Sequence, residues 1–341
     1  MNLLKVSIIG VMGYSGLELF KILENHPKVE IVSIHGTQNI GESFMHIFPG
    51  ITHKSSLKIE VVDTEKIMAQ ADLVFFATPS GISGKLAQPF IEASFPVIDL
   101  SGDYRLPKEL YEEWYEKEAP VSGLSEAVYG LSEFIENYDT NLIANPGCYA
   151  TATLLGLAPL AKAQLIKKTP IIDAKSGLTG AGKNLSSTSH FISVNENMNL
   201  YKVNQHQHIP EIMEQLKEWQ QDVPLIQFTT SLIPISRGIL ATMYLEIEED
   251  PEMIHQLYQN LYLDKPFVEV RPLGVLPEIK EVVGSNVTSI GLVYNEKTKI
   301  LTIVTVLDNL MKGAAGQGVQ NLNILMGIPE TTGLNYSPSF I

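Results

Sequence analysis

Short apolar runs alternate with helical patterns along the first third of the chain. Four runs have the length of buried strands and fall at 6–9, 31–34, 73–77 and 96–100. Between the first two, a helical face that ends near Asn25 consists of Leu17, Leu19, Phe20 and Leu23. Strand, helix and strand in this order predict a parallel sheet with helices packed against it.

The pattern changes after about residue 150. A helix is predicted over 150–164, and the later strand candidates are longer, at 227–233, 238–247, 288–294 and 300–307. The last two are separated by the polar residues 295–299, which favour a hairpin turn. This half therefore predicts an α+β domain with a largely antiparallel sheet. A final helix is predicted from Gly313 to about Met326, and we expect it to pack back on the first domain.

A glycine-rich turn follows the first predicted strand and opens the first predicted helix. Its three glycines, Gly10, Gly13 and Gly16, have the spacing G-x-x-G-x-x-G, and Tyr14 and Ser15 lie between the last two. Glycines allow the backbone to approach a pyrophosphate, and the helix N-terminus offers N–H groups and a positive potential. A turn without a ligand is the alternative, but the strand and helix on either side favour dinucleotide binding.

The residues after the second strand favour NADP over NAD. An NAD site places a carboxylate there for the ribose 2′-hydroxyl, but residues 35–39 contain none, and Thr37 and Gln38 could donate hydrogen bonds to a 2′-phosphate. We therefore predict an α/β protein with a Rossmann-type NADP-binding domain over 1–147. A catalytic and oligomerisation domain follows over 148–312, and residues 313–341 return to the first domain.

Composition narrows the class of protein. A chain of 341 residues with 45% hydrophobic and 18% charged residues fits about two globular domains. The net charge of −14 argues against nucleic acids and anionic membranes as partners. No apolar run reaches the roughly 18 residues of a membrane span, and the N-terminus lacks the pattern of a signal peptide. We therefore expect a cytoplasmic protein.

The single cysteine, Cys148, follows Asn145-Pro146-Gly147. Pro and Gly favour a turn, and the residues that follow continue as a helix, so Cys148 is predicted in a helical first turn. Helix N–H groups and the helix dipole stabilise a thiolate there and lower the pKa of the thiol. A buried, inert cysteine is the alternative. A thiolate at this place can attack an acyl phosphate, and hydride transfer to the resulting thioester leads to an aldehyde.

That reaction needs an acid/base, and His206 and His208 are the candidates, with His208 favoured. Ordinary surface histidines would precede a helix that begins near Pro210, whereas a metal site would have both side chains on one side of an extended segment. Two alternatives compete with catalysis. The histidines could be ordinary surface residues, or they could bind a metal together with Glu211, although no further cluster with ligand spacing is present. We predict no metal.

Three further segments carry groups that bind anions, and they fall at 99–105, 176–183 and 234–238. The second is rich in glycine and ends in Lys183, but it lacks the Ser or Thr that ends a Walker A loop. The other two place Arg105 and Arg237 after predicted strands, where bidentate binding of a phosphate or carboxylate is favoured. Surface ion pairing is the alternative for each arginine.

These motifs together resemble the N-acetyl-γ-glutamyl-phosphate reductases, a family related to aspartate-semialdehyde dehydrogenases. The matching segments span nearly the whole chain, at 10–16, 78–81, 99–105, 145–152, 176–183, 206–212, 236–242 and 309–317. The family's cysteine motif falls on Cys148 and its H-x-H-x-P-E-I motif on 206–212. The resemblance implies NADP(H), N-acetyl-glutamyl 5-phosphate as the substrate, a role in arginine biosynthesis and a homo-oligomer.

The resemblance also completes the predicted site. Cofactor-binding residues, beyond the glycine turn with Thr37 and Gln38, are Thr78, Pro79, Ser80, Ser176, Gly177, Asn309 and Gly313. Substrate-binding residues are Arg105, Asn145, Lys183, Glu211, Ser236 and Arg237. The alternatives are the same chemistry on an aspartyl or aminoadipyl phosphate, a non-catalytic dinucleotide sensor with an inert cysteine, and a metal hydrolase around the histidines.

Overall fold

The computed structural model describes residues 3–51, 56–184 and 189–339. These residues divide into two units. The first unit consists of the chain up to Gly147 together with Ala314–Asn335, and the second consists of Cys148–Gly313 and the described residues after Asn335.

The first unit contains a parallel sheet of seven strands among the described residues, in the order β3-β2-β1-β4-β5-β7-β6. The strands are β1 Leu4–Ile9, β2 Val29–His35, β3 Ile59–Glu60, β4 Leu73–Phe76, β5 Val97–Asp99, β6 Val128–Tyr129 and β7 Leu142–Ala144. The four runs predicted from the sequence are β1, β2, β4 and β5. The predicted Rossmann-type sheet is therefore confirmed.

Seven α-helices belong to this unit among the described residues. They are α1 Tyr14–Glu24, α2 Phe44–Ile47, α3 Thr64–Gln70, α4 Ser83–Leu86, α5 Gln88–Glu92, α6 Lys108–Tyr115 and, from the end of the chain, α11 Gly316–Leu325. In α1 the predicted apolar positions Leu19, Phe20 and Leu23 are fully buried. Helix α11 contacts α1 and β5, so a segment distant in sequence completes the core of this unit.

The second unit contains a mixed sheet of seven strands among the described residues, in the order β12-β13-β14-β11-β8-β10-β9. The strands are β8 Ile171–Ser176, β9 Asn199–Tyr201, β10 Gln227–Leu232, β11 Ile239–Glu246, β12 Val268–Val270, β13 Thr288–Asn295 and β14 Ile300–Leu307. The pairs β8/β10 and β12/β13 are parallel, and the other pairs are antiparallel. The predicted largely antiparallel sheet is confirmed.

Helix α7 is the central helix of the second unit, whose helices are α7 Cys148–Lys162, α8 Phe191–Val194, α9 His208–Trp219 and α10 Pro251–Tyr262. Every residue of α7 from Tyr149 to Ala161 is buried, and the helix packs on β11 and β14. Gly156 permits the close approach, because a Cβ there would lie 2.3 Å from Cε of Met243. Helix α7 therefore packs closely on the sheet that it covers.

Some helix boundaries differ from the prediction. Helix α7 begins two residues before the predicted Ala150. The predicted final helix is divided into a π-helical turn at Met311–Ala315 and the α-helix α11. None of the described helices is both long enough and apolar enough to cross a lipid bilayer.

Candidate active site

The glycine turn of the first unit has the geometry of a dinucleotide-binding turn. Gly10 has φ of +91°, and a Cβ at this position would lie 2.5 Å from the carbonyl oxygen of Ala77. A Cβ on Gly16 would lie 2.3 Å from the carbonyl oxygen of Gly10. Helix α1 begins directly after its N-cap residue Gly13, which has no side chain to cover the first-turn N–H groups. The turn therefore fits a pyrophosphate at the N-terminus of α1.

The other predicted cofactor residues of this unit lie at the same edge of the sheet. Since β1, β2 and β4 are parallel neighbours, their carboxyl ends meet there. Thr37 and Gln38 follow β2 and are exposed. Pro79 and Ser80 follow β4 together with Thr78, whose Cγ2 would lie 3.1 Å from a Cβ on Gly10. The structure thus brings these predicted cofactor residues together.

Arg105 and Asn145 bind the backbone and side chains of their own unit. The Arg105 guanidinium donates from Nε to the carbonyl oxygen of Asn145 at 2.8 Å and from Nη2 to that of Leu100 at 2.9 Å. Asn145 is fully buried; its Nδ2 donates to the carbonyl oxygen of Ala314 at 3.1 Å, and its Oδ1 accepts from Asn321 at 3.0 Å. Both side chains thus tie strand ends together, and their binding of substrate stays a prediction.

Cys148 is the first residue of α7 and is half-buried. It lies against Gly313, since a Cβ on that glycine would be 2.8 Å from the Cβ of Cys148. The first-turn N–H groups of a helix stabilise a thiolate placed at this position. The geometry therefore fits a nucleophile better than the buried, inert cysteine of the sensor hypothesis.

Both histidines lie beside Tyr149, the residue that follows Cys148. The ring of Tyr149 is in edge contact with His206 and His208, at centroid distances of 5.3 and 6.1 Å, and the two imidazoles are 4.6 Å apart. The extended segment that the metal alternative requires is not found, because Gln207 has helical dihedral angles and α9 begins at His208. The chain turns here so that the N–H of His208 donates to Nδ1 of His206 at 3.2 Å.

The two histidines differ in their electrostatic environment. Burial, followed by the neighbouring His208 and Lys202, lowers the pKa of His206 to about 2, so this ring is neutral at pH 7. Nε2 of His208 lies 4.0 Å from the buried carboxylate of Glu211. Among the described residues, no three His, Cys, Asp or Glu side chains are arranged to hold a metal ion.

The predicted anion-binding segments of the second unit meet at the ends of β8, β11 and β14. The N–H of Gly177 donates to the carbonyl oxygen of Gly238 at 2.9 Å, and a Cβ on Gly177 would lie 2.8 Å from the backbone N of Arg237. Ser176 is buried at the end of β8. Asn309 joins the segments, because its Oδ1 accepts from Gly238 at 2.8 Å and its Nδ2 donates to Thr179 at 2.9 Å.

Arg237 forms an ion pair of 3.0 Å with the fully buried Asp308, while its own side chain remains 21% exposed. The ion-pair alternative from the sequence is thus found for Arg237, in a partly buried form. Ser236 and Lys183 are exposed on the same two segments. The sequence analysis missed Asp308, although a carboxylate directly after a long buried strand is a signal for such a partner.

Comparison with known proteins adds the family. Residues 5–140 match the model described as semialdehyde dehydrogenase, NAD binding domain, and residues 148–309 match semialdehyde dehydrogenase, dimerisation domain. Among solved structures, aspartate semialdehyde dehydrogenase II of Vibrio cholerae has a TM-score of 0.72 at 17% identity, over 96% of this chain and 99% of that one. The enzyme of Candida albicans, in complex with NADP, has a TM-score of 0.67 at 15% identity, over 95% and 99%.

Curated relatives are far more similar in sequence. The N-acetyl-gamma-glutamyl-phosphate reductase of Streptococcus thermophilus is 53% identical, over 99% of this chain and 100% of its own length. That of Listeria welshimeri is 51% identical over the same shares. The chain therefore belongs to the N-acetyl-gamma-glutamyl-phosphate reductase family of semialdehyde dehydrogenases.

Proposed function

We propose that the protein reduces N-acetyl-L-glutamyl 5-phosphate to N-acetyl-L-glutamate 5-semialdehyde with NADPH and releases phosphate, as a step of arginine biosynthesis. The observation that carries the chemistry is the position of the single cysteine, Cys148, at the first residue of α7, directly before Tyr149, whose ring contacts both histidines. The names of the relatives, at 51–53% identity over the full chain, supply the substrate.

The reaction divides into acylation and reduction. The Cys148 thiolate attacks the acyl carbon, forming a C–S bond, and the C–O bond to phosphate breaks. NADPH, when bound at the glycine turn, supplies the hydride that reduces the thioester. The C–S bond of the resulting thiohemiacetal then breaks, releasing the aldehyde and restoring the thiolate.

His208 is the residue we assign as the acid/base. It protonates the oxyanion of the thiohemiacetal and takes this proton back when the aldehyde forms. Its neighbour Glu211 supports this role, because a carboxylate 4.0 Å from Nε2 can orient the ring that transfers the proton. His206, with a pKa of about 2, stays neutral and is assigned to hold the backbone of His208 through Nδ1.

NADP(H) as the cofactor is supported by the glycine turn and by the absence of a carboxylate at 35–39. We assign the pyrophosphate to the N-terminus of α1 and the 2′-phosphate to Thr37 and Gln38 after β2. The structure of the Candida albicans neighbour was determined with NADP, which is in line with this assignment. Substrate contacts are assigned to the exposed and half-buried side chains of Lys183, Ser236 and Arg237.

A steady-state assay in the reverse direction tests the function. Supplied with N-acetyl-glutamate semialdehyde and phosphate, the wild-type protein should reduce NADP⁺ in proportion to phosphate. Cys148→Ala should abolish turnover, and Cys148→Ser should lose most of it, since a serine hydroxyl stays protonated without a strong base. Wild-type rates no higher than those of Cys148→Ala would refute the proposal. Preference for aspartate semialdehyde would reassign the substrate.

We further propose that the second unit forms a homodimer through the open face of its sheet. Helix α7 covers the face that carries Ala241 and Met243. On the opposite face Ile171 is 51% exposed and Tyr244, its partner across β8 and β11, is 38% exposed. Exposed apolar side chains in register on a sheet favour an interface, and the matched model is described as a dimerisation domain.

A further inference from the structure

The turn that follows β4 is fastened by a buried carboxylate from a different part of the chain. Asp103 is fully buried, and its Oδ1 accepts a hydrogen bond from the N–H of Gly81 at 2.7 Å. Its Oδ2 accepts from the N–H of Gly84 at 2.8 Å and from Oγ of Ser83 at 2.9 Å. One carboxylate thus binds three residues of a single short segment, including the first turn of α4.

The carboxylate is itself held from the other side. The hydroxyl of Tyr111 in α6 donates to Oδ1 of Asp103 at 2.9 Å, and the N–H of Asp103 donates to Oγ of Ser101 at 3.1 Å. Oγ of Ser101 also lies 2.6 Å from Oγ of Ser83. Hydrogen bonds to an ionised acceptor are stronger than those between neutral groups, so this cluster joins the ends of β4 and β5 firmly.

The segment between β4 and this anchor carries the residues assigned to the cofactor. At its start the N–H of Ala77 donates to the carbonyl oxygen of Ile9 at 2.8 Å, and Thr78 lies directly against Gly10. At its end Gly81, with φ of +86°, is bonded to Asp103. Residues 78–80 therefore span two fixed points, one on the glycine turn and one on Asp103.

We propose that Asp103 is a positioning residue for the dinucleotide, because it holds residues 78–80 in place beside the glycine turn. Asp103 does not contact the cofactor in this scheme, since its oxygens are already occupied by donors of the protein. Its removal releases one end of the segment, and part of the binding free energy is then spent on ordering that segment. This inference rests on the proposed function, which places NADPH at this edge of the sheet.

Binding of NADPH to Asp103→Ala and Asp103→Asn, followed by fluorescence titration, tests the inference. We expect the Kd to rise about tenfold or more for Asp103→Ala, the scale of a hydrogen bond to a charged group. Asp103→Asn retains one acceptor oxygen, so its Kd should lie between those of the wild type and of the alanine variant. If Asp103→Ala folds poorly, a Kd of Asp103→Asn above that of the wild type still supports the inference.

Kinetics separate positioning from a general loss of structure. The KM for NADPH should rise, while kcat at saturating NADPH and the KM for the acyl phosphate should change by less than about twofold. Asp63→Ala is the matched control, because Asp63 also caps a helix of this unit, accepting from the N–H of Lys66 at 3.0 Å, but contacts α3 instead. It should bind NADPH as the wild type does.

The possible results have distinct consequences. Equal Kd values for the wild type and both Asp103 variants would overturn the inference and leave the proposed function intact. An equal loss of affinity in Asp63→Ala would also overturn it, since the effect would then reflect the stability of the whole unit. Failure of the wild type itself to bind NADPH would overturn the proposed function together with the inference.

Discussion

Replacing Gly313 by alanine should displace Cys148, the proposed nucleophile, without changing any polar group. Gly313 is buried, and a Cβ at this position would lie 2.8 Å from the Cβ of Cys148 and 3.3 Å from Cδ1 of Leu307. Carbon atoms in contact prefer about 3.5–4.0 Å, so Cys148 or the backbone at 313 has to move by roughly 0.7–1.2 Å. No positive φ is required at Gly313, so the perturbation is steric.

The size of the effect follows from this displacement. Adding a methyl group to a packed interior costs about 1–3 kcal/mol of stability. A misplacement of about 1 Å in a catalytic group lowers rates by about 10²-fold. We therefore expect Gly313→Ala to remain folded at moderate temperature and to lose about 10- to 100-fold in kcat.

The single cysteine makes a second, substrate-independent assay possible. Alkylation by iodoacetamide reports on Cys148 alone, because the chain contains one cysteine. The alkylation rate at fixed pH should fall in Gly313→Ala. Gly318→Ala is the matched control, since its Cβ would meet its nearest neighbour, Cδ1 of Leu100, at an ordinary 3.4 Å. If kcat and the alkylation rate of Gly313→Ala equal those of the wild type, the assigned contact between Gly313 and Cys148 is refuted.

Three further predictions concern other parts of the molecule. His208→Asn should lower kcat by about 10²-fold or more. His206→Asn should retain the pH profile of the wild type, because the ring of His206 is already neutral. A large loss of kcat in His206→Asn with a wild-type kcat in His208→Asn would exchange the two roles. Burial, followed by the charge of a neighbouring carboxylate, raises the pKa of Asp99 to about 7. Between about pH 4 and pH 7 the native state therefore holds a proton on Asp99 that the unfolded chain has released. The free energy of unfolding of the wild type should fall relative to that of Asp99→Asn as the pH rises through this range. Urea unfolding of both proteins at pH 5 and pH 8 checks this prediction. The same difference in unfolding free energy between wild type and Asp99→Asn at both pH values would contradict it. Tyr244→Glu should shift the mass in solution, measured by light scattering, from dimer to monomer. Met253→Glu, at an exposed position of α10, should remain a dimer. A dimer in both variants would exclude the open sheet face as the dimer interface.

Much of the first sheet was predictable because parallel strands are buried on both faces. Runs such as 73–77 are therefore continuously apolar and stand out in the sequence. Strands β3 and β6 could not be predicted, because each has two residues and so short a segment shows no periodicity. Helix α9 begins two residues before Pro210, near which a helix start was considered. Pro210 is the third residue of α9, where its missing N–H would also lack a partner within the helix.

The site was predictable where local sequence decides the chemistry and not where distant segments meet. The turn before Cys148 and the helix after it are local, and the structure places the cysteine at the helix start. The bonds of Asn309 to Thr179 and of Asp103 to Gly81 join segments far apart in the chain, and no pattern within either segment encodes the partner. Residue types alone therefore indicated anion binding at places where the side chains also hold loops together.

The proposed chemistry requires a thioester on Cys148, and mass spectrometry of the acylated protein can detect it. Mixed with N-acetyl-glutamyl phosphate in the absence of NADPH, the protein should gain the mass of one acyl group. Peptide mapping should locate this group on Cys148, and Cys148→Ala should gain nothing. Turnover of the same preparation without any acyl adduct on Cys148 would contradict the account.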